Sequence, residues 1–168
     1  MSRVQLNAGN DMTDAERKIS AAQGYVELGL FDEARQELAL LADAALHRAD
    51  VIELHLLCHM GERQWDPALD QALLLIEAEP HEPGGYIHAA YCLHELGRTA
   101  EALEVLIKGP KSLRTKPVFY YNAGCYNARL GQIREALKLL QRSFEIDVSL
   151  RRVARKDPDL AHLHSQLL

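Results

Sequence analysis

His55, Cys58 and His59 stand at i, i+3 and i+4, so a helix through them brings two imidazoles and a thiol onto one turn. That is a nitrogen and sulfur set able to hold a metal ion. No carboxylate or second cysteine accompanies it, and both histidines fall at positions that pack against neighbouring helices. Partly buried histidines with no bound metal are therefore expected. The chain carries no GxSxG, no Gly-rich phosphate loop, no HExxH, no paired-cysteine zinc signature and no Asp/Glu pair placed for acid–base work. The expectation is a protein that is not an enzyme and needs no cofactor.

Two groups of cations offer a different chemistry. Lys108, Lys111, Arg114 and Lys116 crowd around the Gly109-Pro110 break with no acid among them, and Arg151, Arg152, Arg155 and Lys156 form a second group. The first reads as a solvated connector, or as an exposed basic loop that meets an acidic tail or a phosphate. No aromatic residue is interleaved with it, which argues against single-stranded nucleic acid. The net charge of −5 conceals an asymmetry: residues 1–84 carry 16 acidic and 6 basic side chains, residues 85–168 carry 8 and 13. Such polarity suits a mixed solvated surface, orientation on a charged partner, or head-to-tail contact between copies, with a monomer the expected state.

These residues must be positioned by helices. From Val118 to Ile146, Tyr120, Ala123, Gly124 and Asn127 follow one helical stripe, and Ile133, Ala136, Leu137, Leu140 and Phe144 follow a second. Gly131 separates them where the chain must reverse. The hairpin recurs. Ala34, Ala68, Ala102 and Ala136 are each 34 residues apart, in the strings FDEARQEL, WDPALDQA, TAEALEVL and IREALKLL, with Phe31, Trp65, Thr99 and Ile133 three positions earlier. A bulky side chain at such an alanine should cost about 1–3 kcal/mol by overpacking two close helices. Cys58 and Cys92 share this register and read as small apolar fillers; three cysteines without a CxxC pair fit a reducing compartment. With 168 residues and 48% hydrophobic content, the chain can bury a core without staples.

The local signals set the boundaries. Thr13 and Glu16 form a capping box opening a helix that ends near Leu28 at Gly29, and Phe31 to about His47 forms its partner. The next pair runs Val51 to Gly61 and Trp65 to Glu79, with Pro67 in a first turn and Pro80 beyond the end. A third begins at Pro83, turns at Gly97 and reaches Lys108. After a short turn from Ser149, Asp157-Pro158 reads as N-cap and first position of a last helix through Leu167, with Leu160, Leu163 and Leu167 inward and Asp159, His162, Ser165 and Gln166 facing water.

On its 34-residue period the chain resembles the tetratricopeptide repeat over Asp14 to Asp147. Tyr86 and Tyr120 hold the first aromatic position, Gly124 the small position, Tyr25 the middle aromatic and Pro80 the closing proline; His59, Leu93 and Asn127 depart from the middle aromatic, and Gly109-Pro110 breaks the third copy. The resemblance implies an all-α fold, a right-handed α-solenoid of antiparallel helix pairs. Its expected divisions are a disordered arm at 1–12, repeats at about 13–47, 48–82, 83–116 and 117–148, and capping helices at 149–168.

It also implies a concave groove lined by the first helix of each repeat. Carried over residue by residue, the groove positions are Ile19, Gln23, Val26 and Glu27; Glu53, Leu54, Leu57 and Met60; Ile87, His88, Tyr91 and His94; and Tyr121, Asn122, Cys125 and Arg129. Asn122 matches an asparagine that holds a bound peptide backbone in the family. The family's two-carboxylate clamp needs Lys and Asn where this chain has Ile19 and Gln23, so capture of an acidic C-terminus by that clamp is not expected. The apolar anchors suit an amphipathic helix or apolar peptide, unless the solenoid's own ends cover part of the groove.

The function so implied is a non-enzymatic protein-interaction module, an adaptor or scaffold for a peptide, helix or filament subunit. Size and repeat count are also similar to the bacterial kinesin light chain encoded beside bacterial tubulin, which implies a filament accessory. A secretion chaperone is a further alternative, though residues 1–12 do not resemble a dimerising arm. No apolar leader and no membrane-length apolar run occur in the sequence, so a cytoplasmic protein contacting neither membrane nor nucleic acid is expected.

Overall fold

A computed structural model describes residues 12–167, which contain helices and no strand. Eight helices form four antiparallel pairs: α1 (Asp14–Glu27) with α2 (Phe31–Ala39), α3 (Ala49–Gly61) with α4 (Trp65–Ala78), α5 (Pro83–Glu95) with α6 (Thr99–Lys108), and α7 (Pro117–Arg129) with α8 (Ile133–Ile146). The pairs stack into an α-solenoid. Short 3₁₀ segments, Asp43–Ala45 and Lys111–Thr115, join the first pair to the second and the third to the fourth. After α8 come α9 (Leu150–Ala154), a 3₁₀ turn (Pro158–Leu163) and α10 (His164–Leu167). Nearly all of the expected N-terminal arm lies outside the described residues.

The capping box forms: Glu16 N–H donates to Thr13 Oγ1 at 3.2 Å, and Thr13 N–H donates to Glu16 Oε2 at 2.7 Å. Each hairpin then turns by one device. The residue after the helix cap takes a left-handed backbone at Gly29 (φ 73°), Arg63 (59°), Gly97 (79°) and Gly131 (77°), positions spaced by 34. The next amide reaches back across the turn, as from Leu30 to Tyr25 O (2.9 Å) and from Gln132 to Asn127 O (2.8 Å). Helix α3 ends at Gly61 as expected, and the left-handed residue follows two positions later at Arg63. Gly61 itself serves packing, because a Cβ there would stand 2.0 Å from Phe31 Cζ. Gly124 allows a similar approach, since a Cβ would stand 2.7 Å from Leu140 Cγ.

All four periodic alanines are fully buried. Ala34 belongs to an N-terminal core with Ile19, Ala22, Leu38, Leu41, Val51, Leu54 and Cys58, and the other three belong to a larger core running on to Leu163. Helix α3 serves both: Val51, Leu54 and Cys58 face the first, Ile52 and Leu56 the second. This explains why it is apolar almost all round. The three cysteines are free and buried, and burial pushes the Cys58 thiol up and the Cys92 thiol to about 11.

Two expected elements differ. Helix α2 stops at Ala39 rather than near His47; the backbone is extended at Ala42, and Leu41 and Ala45 pack on the N-terminal core. The last helix is mostly a 3₁₀ turn, capped as expected by Asp157, whose side chain accepts from Asp159 N–H. A 3₁₀ helix eclipses residues three apart. Leu160 and Leu163 therefore point the same way, both essentially inaccessible, against the end of the stack. Asn127, in the middle aromatic position, is buried with its amide donating to Ala123 O at 2.7 Å.

Candidate functional site

The expected groove positions lie on α1, α3, α5 and α7, and they are not equally open. Gln23 is exposed and donates to Glu27 Oε1 at 3.2 Å. Ile19 and Leu54 are buried in the N-terminal core, so neither is available as an anchor, because α3 packs on α1 and α2 through the Leu54 face. Val26, Leu57, Met60 and Ile87 are half-buried, whereas Glu27 and Glu53 are exposed. His88 is half-buried, and burial holds its imidazole below the ordinary histidine range, partly opposed by Glu53.

A cleft of about 570 Å³ lies at the C-terminal half; its walls include Tyr91, Asn122 and Tyr126 from α5 and α7, and Arg152, Asp157 and Asp159 from the segment that follows the last pair. Tyr91 is 37% exposed and stands edge-on to Trp65, with ring centroids 5.7 Å apart. Asn122 is half-buried in the same wall. The Tyr126 ring stacks on His94 at 4.8 Å, and its buried hydroxyl has no hydrogen-bond partner among the described residues.

The remaining groove positions are occupied from within. Tyr121 is buried and donates its hydroxyl to Asp157 Oδ2 at 2.7 Å; Cys125 Sγ lies 3.6 Å from the same oxygen. His94 Nε2 is 2.7 Å from Asp159 Oδ2, and Arg129 Nε is 3.5 Å from Asp159 Oδ1. Burial and the Asp157 carboxylate together push the Tyr121 phenol well above its usual range. The expectation that Asp159 faces water is corrected: it is part-buried against α5 and α7. Four of the sixteen groove positions, His94, Tyr121, Cys125 and Arg129, are thus engaged by the chain's own C-terminal turn.

The basic groups are likewise uneven. Lys108 pairs with Glu104 at 3.5 Å. Arg114 is not a free loop cation: it donates to Ile107 O at 2.7 Å and lies over the Phe119 ring at 5.5 Å, while buried Leu113 pins the connector to the core. Arg151 lies over Phe144 at 5.1 Å. Lys111, Lys116, Arg152, Arg155 and Lys156 are exposed and form no ion pair among the described residues. His55, Cys58 and His59 do not assemble a metal site: Cys58 is buried, and His59 Nδ1 pairs with Gln64 Oε1 at 2.8 Å. No helix among the described residues is long and apolar enough to cross a membrane.

No protein-family model matches the sequence, and no curated protein matches it. Solved structures match in fold. MamA MSR-1 aligns with a TM-score of 0.66 at 21% identity, over 84% of this chain and 81% of that one. Another MamA crystal structure aligns at 0.71 with 17% identity, over 84% and 83%. MamA AMB-1 aligns at 0.65 with 21% identity, over 83% and 76%. MamA is a tetratricopeptide-repeat protein, and the fold of this chain is accordingly the tetratricopeptide α-solenoid. These neighbours lend no support to the likeness to a bacterial kinesin light chain.

Proposed function

We propose that the chain is a non-enzymatic interaction scaffold that takes a peptide or helix of a partner protein along its concave face. The observation that carries this reading is the cleft at α5 and α7. It joins an exposed aromatic face, Tyr91, to the Asn122 amide, beside buried Tyr126 and the exposed Val153 side chain. An aromatic anchor next to a backbone-reading amide is the pairing that fixes an apolar segment and its register. Tyr91→Ala and Asn122→Ala, made together, are expected to abolish capture of the native partner from extract while leaving the thermal melt within about 2 °C of the parent. Undiminished capture by the double variant would sink the groove reading.

A second reading has its own observation in the unpaired cations of the C-terminal half. Docking onto an acidic surface or filament through Lys111, Lys116, Arg152 and Arg155 predicts loss of cosedimentation when these four are reversed in charge, and weakening as salt shortens the screening length. Binding that ignores both changes removes this reading and leaves the groove.

A further inference from the structure

Two carboxylates spaced two residues apart sit where the groove of the last two helix pairs should be empty. Three donors from two helices converge on them: the Tyr121 hydroxyl on Asp157, and His94 Nε2 and the Arg129 guanidinium on Asp159. The His94 ring is oriented from behind, because Nδ1 lies 3.0 Å from Thr99 Oγ1; a proton on Nε2 then faces the carboxylate. The turn is itself preorganised. Asp157 Oδ1 accepts from Asp159 N–H at 3.0 Å across Pro158, which cannot extend the chain otherwise. Buried Ala154 on one side and buried Leu160 on the other anchor it, while Arg155, Lys156 and Pro158 are exposed. The arrangement has the geometry of a bound acidic peptide.

We propose that the α5/α7 end of the trough, through Tyr121, His94 and Arg129, is a receptor for an Asp-x-Asp turn, filled in cis by Asp157 and Asp159, and that a partner segment carrying the same two carboxylates competes for it. The inference rests on the groove reading and names the partner chemistry for one end of that groove. The receptor is distinct from the clamp that Ile19 and Gln23 rule out at the other end. An intramolecular ligand has an effective concentration in the millimolar range, so a free segment binds weakly until the internal one is weakened. Releasing the turn breaks polar contacts while the leucine anchors stay packed, which makes the exchange local.

The probe is a labelled synthetic peptide of residues 155–163, RKDPDLAHL, titrated by fluorescence anisotropy into the full chain and into the full chain bearing Asp157→Asn and Asp159→Asn. The double variant is expected to bind the peptide about tenfold or more tighter than the parent, and the gain should vanish when the peptide's own aspartates are asparagines or when Tyr121→Phe and Arg129→Gln are added. If the double variant loses its cooperative melt, Asp159→Asn alone, which keeps the Tyr121–Asp157 bond, is read in the same assay. Equal binding to parent and variant, or equal binding of the asparagine peptide, overturns the proposal. Failure here with Tyr91- and Asn122-dependent capture intact removes only this inference; failure of both removes the groove reading as well.

Discussion

Arg63 occupies a conformation that its three counterparts leave to glycine. Its φ of 59° matches the turns at Gly29, Gly97 and Gly131, but a Cβ in that region costs about 1–2 kcal/mol. The guanidinium recovers little, standing 6.0 Å from the Trp65 centroid and 3.9 Å from Glu95. Arg63→Gly is therefore expected to stabilise the fold by about 1 kcal/mol net of the added chain entropy, read as a higher midpoint in urea with an unchanged slope. The same position shows what local signals leave out. Glycine marks the end of α3 at Gly61, but the left-handed residue two positions on has no compositional mark. Gly61 is needed for the approach of Phe31, a contact between hairpins that no window of sequence displays. Asp159 is a similar case: its partner His94 lies 65 residues away, and nothing near it in the chain distinguishes it from a solvated cap-turn acid.

At the scale of helices, the pairs were legible because the period of 34 and the turn glycines repeat in phase, and because each second helix carries one clean apolar stripe. Helix α3 was harder. With two buried faces its periodicity vanishes, and Leu54, a groove position by the family resemblance, faces the first core instead. Burial also shows in the titration of these helices. His55 on α3 and His88 on α5 are both held below the ordinary histidine range chiefly by desolvation, with Glu53 opposing at His88 and His59 and Arg35 adding at His55. A histidine of depressed folded pKa binds its proton more readily when unfolded. Stability should be full above about pH 6.5 and decline as pH falls below it. His88→Gln is expected to flatten that decline, measured as the urea midpoint between pH 7.5 and 5; an unaltered slope would show that other groups carry it.

For the molecule as a whole, the C-terminal segment covers the last helix pair of the stack. Leu160 and Leu163 cover the apolar end of the larger core, and Asp157 and Asp159 hold the inner face. Leu160→Ala should cost about 2–5 kcal/mol, the range for truncating a fully buried leucine, and lower the thermal midpoint by roughly 4–20 °C. A loss below about 1 kcal/mol would mean that the end is held otherwise. The charge asymmetry between the two halves was readable by counting, but which cations are spent internally was not: Arg114 and Arg151 lie over aromatic rings, and Lys108 is paired.

The plugged trough bears on how such an array can change its length. Hairpins that each turn by the same device at a 34-residue period can be duplicated or deleted in whole units. A fifth unit placed after α8 would collide with the turn that fills the inner face and with the leucines seated behind it. Growth on that side requires evicting the turn that fills the inner face.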